Sequence, residues 1–134
     1  MLVIEVSKVS HIGIRVTNLE RSLAFYRRLG FELVAQGEDH YVAILKNKHR
    51  IEINLIVNAS DNNSGENILM DVSPKYPGYT HVALAVSSID ETIRLLGEND
   101  IDITGGPAKL GNGVSLFIRD PDCNVIELRE SHSP

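Results

Sequence analysis

The sequence repeats itself, and this limits the folds open to the chain more than any other feature. Thr80-His81-Val-Ala-Leu-Ala-Val-Ser-Ser-Ile-Asp lies under Ser10-His11-Ile-Gly-Ile-Arg-Val-Thr-Asn-Leu-Glu at a constant offset of 70. His11 falls on His81, Val16 on Val86 and Leu19 on Ile89. Without a gap, Ser22 then falls on Thr92, Leu23 on Ile93, Tyr26 on Leu96 and Phe31 on Ile101. The ends of the halves also match: Arg50-Ile-Glu52-Ile resembles Val125-Ile-Glu127-Leu, there at an offset of 75. A difference in loop length would account for the change. The chain reads as two tandem modules, about 9–57 and 79–130, joined by a linker over 58–78.

Within each module the periodicity predicts strand, helix, then three strands. Val9–Val16 and Thr80–Val86 alternate in period two, as half-buried strands do. Leu19, Leu23 and Tyr26, and likewise Ile89, Ile93 and Leu96, lie at i, i+4 and i+7 and form one apolar helical stripe each. Thr17 with Glu20, and Ser87 with Asp90, read as capping pairs, and Gly30 and Gly97 as helix terminators. The remaining strands are expected over 31–36, 41–45 and 50–57, and over 101–104, 114–119 and 124–130. Asp120-Pro-Asp-Cys-Asn124 supplies turn chemistry before the last strand. The linker, polar at first and carrying Pro74 and Pro77, is long for a connection and is read as a cover over a site.

Alternation then sorts the side chains into two faces. Ile12, Ile14, Val16, Ile51, Ile53, Leu55, Val82, Leu84, Val86, Ile126 and Leu128 make the face that must meet the helices. The opposite face carries His11, Arg15, Glu52, Asn54, His81, Glu127 and Arg129, interleaved with Gly and Ala. A face that is merely solvated is usually rich in Lys, Thr and Ser. Paired His and Glu in both repeats, with small residues beside the His, is instead metal-ligand composition.

What surrounds this pattern excludes several classes. A length of 134 residues suits one domain of ordinary size. Thirteen Lys and Arg against eighteen Asp and Glu give a net charge of −5, with no basic cluster to favour nucleic acid. The single Cys, Cys123, excludes an internal disulfide framework. Met1-Leu-Val-Ile-Glu is too short and too acidic for a secretory signal, and no run approaches the ~18 apolar residues of a membrane span. The expectation is a soluble cytoplasmic protein with a small-molecule substrate and neither nucleic acid nor membrane as partner.

The opening Val-Ser-His11-Ile-Gly-Ile-Arg-Val, the run Leu-Glu-Arg-Ser-Leu-Ala-Phe-Tyr-Arg-Arg-Leu-Gly-Phe and the closing Ile-Arg-Asp-Pro-Asp-Cys-Asn-Val-Ile-Glu127-Leu resemble the vicinal oxygen chelate superfamily. It is also called the glyoxalase/bleomycin-resistance/dioxygenase superfamily. The resemblance implies an α+β fold of paired βαβββ modules, their curved mixed sheet enclosing a metal cleft, in a homodimer. It implies His11, Glu52, His81 and Glu127 as ligands of one divalent ion (Ni, Zn, Co, Mn or Fe), the set of members similar to glyoxalase I. Thiol transferases and extradiol dioxygenases of the superfamily use two His and one Glu, with no ligand where Glu52 stands. The resemblance further implies Arg15, Asn54 and Lys109 on the substrate and glutathione as cosubstrate. The family's glutathione-contacting Asn would fall at Ile56, four residues after Glu52, where an apolar side chain cannot make that bond.

The implied chemistry is proton transfer through a metal-bound enediolate on a small 2-oxo-aldehyde adduct, with Glu127 or Glu52 as base. A metal acting on two neighbouring substrate oxygens makes a carbon-bound proton beside a carbonyl acidic enough for a carboxylate to remove. The alternatives are another metal enzyme of the superfamily (epimerase, thiol transferase or dioxygenase) and a small-molecule-binding resistance protein without turnover.

Overall fold

The computed structural model describes residues 1–39, 41–61 and 65–132. It divides into two compact units, Met1–Ser60 and Asp61–Pro134. The first holds β1 (Ile12–Val16), α1 (Leu19–Arg28), β2 (Glu32–Gln36), β3 (Val42–Lys46) and β4 (Glu52–Val57). The second holds β5 (His81–Ala85), α2 (Ile89–Glu98), β6 (Gly105–Leu110), β7 (Gly113–Arg119) and β8 (Val125–Ser131). Each unit is the expected βαβββ module, with a four-stranded mixed sheet ordered β1-β4-β3-β2 or β5-β8-β7-β6. The first strand of each runs parallel to the last, and the other pairs are antiparallel.

The apolar faces behave as the alternation predicts. Ile14, Val16, Ile53 and Leu55 are buried in the first unit, with Leu23, Phe25 and Tyr26 of α1 and with Phe31. Tyr26 meets Phe25 and Phe31 edge-on, with ring centroids 5.1 and 6.4 Å apart. In the second unit Ile89 and Leu96 of α2 are buried with Ile101, Leu116, Ile118, Ile126 and Leu128, and α2 lies against β7 and β8.

Both helices start one residue later than the capping pairs suggest. Asn18 Oδ1 accepts from the Arg21 amide at 2.9 Å, and Ser88 Oγ from the Glu91 amide at 3.1 Å. Each cap thus reaches the third amide of its helix. The helix ends also differ from expectation. Gly30 (φ 91°) does terminate α1, but Gly97 lies inside α2 and the left-handed residue there is Asp100 (φ 55°). Asp100 is the residue that the offset of 70 sets under Gly30.

The two glycines therefore predict opposite outcomes. A Cβ on either would meet nothing within 4 Å, so only backbone preference decides. Gly30→Ala should cost about 1–2 kcal/mol, the penalty of a left-handed L-residue. Gly97→Ala should stabilise by roughly 0.5–1 kcal/mol, the helix preference of Ala over Gly. Urea unfolding of the two variants measures both signs.

One strand lies elsewhere than the sequence pattern predicts. Residues 101–104 are not a strand; the edge strand is Gly105–Leu110. Gly105, Gly106 and Pro107 disguise it, and a register shift between Gly105 and Ala108 carries the proline at the sheet edge.

The later part of the linker is tied to its own unit. Asn67 Oδ1 accepts from the Leu69 and Met70 amides, and its amide nitrogen donates to the Cys123 carbonyl at 3.1 Å. Arg119 donates to Asp71 at 2.8 Å. That guanidinium holds the Asp71 carboxyl well below the usual carboxylate range, and Asp71 in turn raises Arg119. These bonds pin the linker to the β7–β8 turn. No described helix is long and apolar enough to cross a membrane.

Candidate active site

In the second unit, strand pairing gathers the polar residues. His81 stands across from Val125 and Ala83 across from Glu127 on β5 and β8. His81 Nε2 lies 3.0 Å from Glu127 Oε1, and Thr80 Oγ1 lies 2.9 Å from His81 Nδ1. Glu127 is 8% exposed, and Phe117, its partner on β7, meets the His81 ring edge-on at 5.5 Å. Ser115 Oγ donates to Glu127 Oε2 at 2.7 Å and accepts from Arg129 Nη1 at 3.0 Å. The result is an exposed imidazole set against a buried carboxylate.

The first unit is looser. Ser10 Oγ lies 3.0 Å from His11 Nδ1, repeating the hydroxyl behind the imidazole. Such a hydroxyl orients a ring whose other nitrogen serves as a ligand. Glu52 Oε2 is 3.9 Å from His11 Nδ1, and its other oxygen is 3.7 Å from Lys46 Nζ. Among the described residues, no group of three or more His, Cys, Asp or Glu stands together to hold a metal; within each unit one His stands near one Glu.

The register corrects the pairing of Glu52 with Glu127. Gly13 stands across from Asn54, whereas Ala83, under Gly13 in the repeat, stands across from Glu127. Lys46 pairs Glu52 and Arg119 pairs Val125 at the base of each last hairpin. Asn47 Oδ1 accepts from the His49 and Ile51 amides, as Asp120 Oδ1 does from Asp122 and Asn124. Arg50 (φ 64°) and Cys123 (φ 66°) take the same left-handed place. All four comparisons give an offset of 73, not 75. Glu127 therefore superposes on Asn54, and Glu52 on Val125. The buried Asn54 Oδ1 has no hydrogen-bond partner among the described residues.

The same shift moves two other expectations. Four residues after Asn54 is Asn58, not Ile56, and Asn58 Oδ1 accepts from Arg15 Nε at 3.0 Å. Ile56 instead covers Gly13, its Cδ1 lying 3.6 Å from where a Cβ would stand, so part of the room beside His11 is already filled. Lys109 lies on β6, not in a loop, and pairs Val114, which pairs Glu130. That is the face turned away from Glu127, so Lys109 does not join the substrate-side residues. Sequence reasoning missed Ser115, Phe117, Lys46 and Asn58. Two of them, Ser115 and Phe117, alternate on β7 toward Glu127, a signal readable once the β7–β8 register is known.

A family model described as Glyoxalase/Bleomycin resistance protein/Dioxygenase superfamily matches residues 8–128. The chain belongs to that superfamily. It is 30% identical to a lactoylglutathione lyase of Escherichia coli O157:H7 over 133 residues, covering 92% of each chain. It is 29% identical to the metallothiol transferase FosB of Staphylococcus epidermidis, covering 92% of this chain and 82% of that protein. The crystal structure of a glyoxalase family protein from Enterococcus faecalis shares the fold, with a TM-score of 0.74 at 24% identity over 92% of this chain and 97% of that one.

Proposed function

We propose that the chain is a metal-dependent lyase or isomerase of the glyoxalase I type, which moves a proton between adjacent carbons of a small 2-oxo-aldehyde adduct. The carrying observation is Glu127: a buried carboxylate 3.0 Å from an imidazole, on the sheet face opposite the core. His11, His81 and Glu127 would hold one divalent ion, with the orphaned Asn54 Oδ1 as a further oxygen donor. Two imidazoles, one carboxylate and one amide oxygen suit Ni, Zn, Co, Mn or Fe(II). The ligands would come from one chain or from two chains of a homodimer. When bound, the ion supplies Lewis acidity to two neighbouring substrate oxygens.

Glu127 accepts the proton from the carbon beside the carbonyl and returns it to the next carbon, so no atom is lost and no electron acceptor is needed. Phe117 packs edge-on against the His81 ring and is the cross-strand neighbour of the buried Glu127. Arg15, oriented by Asn58, takes an anionic group of the substrate, such as a carboxylate of glutathione.

The test is metal content after incubation with divalent ions and desalting, followed by turnover of the adduct of methylglyoxal and glutathione. About one bound ion per site, with turnover, supports the reading. Turnover that survives metal removal overturns it. A thiol transferase is the second reading, favoured by the absence of a carboxylate at Asn54 and by the similarity to FosB. It predicts bound metal, no turnover of the adduct, and consumption of thiol with an epoxide. Protein that takes up no metal would instead be a binding protein.

A further inference from the structure

We propose that Ser115, itself held by Arg129, is the positioning residue of the Glu127 carboxylate; the inference rests on Glu127 as ligand and base. A guanidinium can only donate, so Ser115 Oγ accepts from Arg129 Nη1 and its one proton goes to Glu127 Oε2. That bond fixes Oε2, and Oε1 is the oxygen turned to His81.

Arg129 is fixed in its turn. Its Nη2 donates to the Leu110 carbonyl at 2.6 Å and to Asn112 Oδ1 at 3.1 Å in the β6–β7 turn. Gly113 makes room for it: a Cβ there would stand 3.1 Å from Arg129 Cζ and 2.4 Å from the Glu130 carbonyl oxygen. Ser115 is 1% exposed, so water does not compete for its hydroxyl.

The other module separates this role from a merely structural one. At the offset of 73, Val42 stands where Ser115 stands, and Ile56 where Arg129 stands. That module builds the same sheet with an apolar pair, and its ligand-position residue is Asn54, which carries no charge to orient. The polar relay accompanies the carboxylate rather than the fold.

Cobalt(II) binding by equilibrium dialysis, the visible spectrum of the bound cobalt, and kcat and KM on the methylglyoxal–glutathione adduct are compared for wild type, Ser115→Ala, Ser115→Thr and Arg129→Met. Ser115→Ala is expected to bind cobalt about 10–100-fold more weakly or to lose kcat by that factor, with an altered spectrum and KM nearly unchanged. Ser115→Thr, which keeps the hydroxyl, restores both, and Arg129→Met falls between. Wild-type affinity, spectrum and kcat in a folded Ser115→Ala overturn the inference, whatever its melting temperature. Should Ser115→Ala not fold, the same wild-type values in Arg129→Met overturn it. Wild-type protein that binds no cobalt overturns the metal reading and this inference together, whereas the variant results bear on the relay alone.

Discussion

Glu127→Gln is expected to lower turnover of the adduct by about 10²–10⁴-fold, the usual contribution of a general base, and to leave the fold intact. Gln keeps the shape of Glu, and its amide oxygen can still accept from Ser115 Oγ. What it loses is the charge and the ability to take a proton. The variant also relieves a buried anion, so melting should not fall by much. Glu52→Gln is the control with a different expected result. Glu52 stands at the place of Val125, beside Lys46 and nearer the hairpin turn, rather than at the place of Glu127. Its turnover should stay within about threefold of wild type, a change of well under 1 kcal/mol in the barrier. Steady-state kinetics of both variants at saturating metal measure the contrast. Equal losses would return Glu52 to the site and remove Asn54 from it.

That contrast was hidden in the sequence for a physical reason. The repeat of period 70 carries real helical and strand spacing, and it sets α1 on α2 residue for residue. It also sets Asn18 on Ser88 and Gly30 on Asp100, so both caps were within reach of the same alignment. Past the helices, loops change length and only local likeness guides the match. Ile-Glu-Ile against Ile-Glu-Leu is then attractive, but side-chain likeness is a weak guide to register. Turn geometry is a stronger one: Asn47 and Asp120 organise turns of equal length, and each last strand begins after them. A shift of two residues keeps every side chain on its face while moving it along the strand. The polar face was therefore readable, and the residue opposite each His was not. β6 was missed because propensity disfavours Gly and Pro in strands, and an edge position overrides that preference. Ser115 was invisible because its importance lies in which strand β7 pairs, not in its own neighbours in sequence.

Metal is expected to raise the melting temperature of wild-type protein and to fail in His11→Ala and His81→Ala alike. An ion bound only by the folded state, at a concentration a thousandfold above its Kd, adds about 4 kcal/mol. For a chain of this length that is roughly 10–20 °C. Removing one imidazole takes away one of few donors and, with it, most of that gain. Neither His lies in a core: His11 is exposed, and His81 keeps its ring against Phe117 at the edge of the sheet, so the metal-free proteins should melt within a few degrees of one another. The two variants test different halves of the idea. His81 and Glu127 belong to one unit, and His11 to the other. If one ion takes donors from both kinds of module, the loss in His11→Ala matches that in His81→Ala. If metal stabilises His11→Ala as strongly as wild type, the ion belongs to Asp61–Pro134 alone, and the hydroxyl-backed imidazole of the first unit has another task. Differential scanning calorimetry with and without cobalt(II) decides between the two.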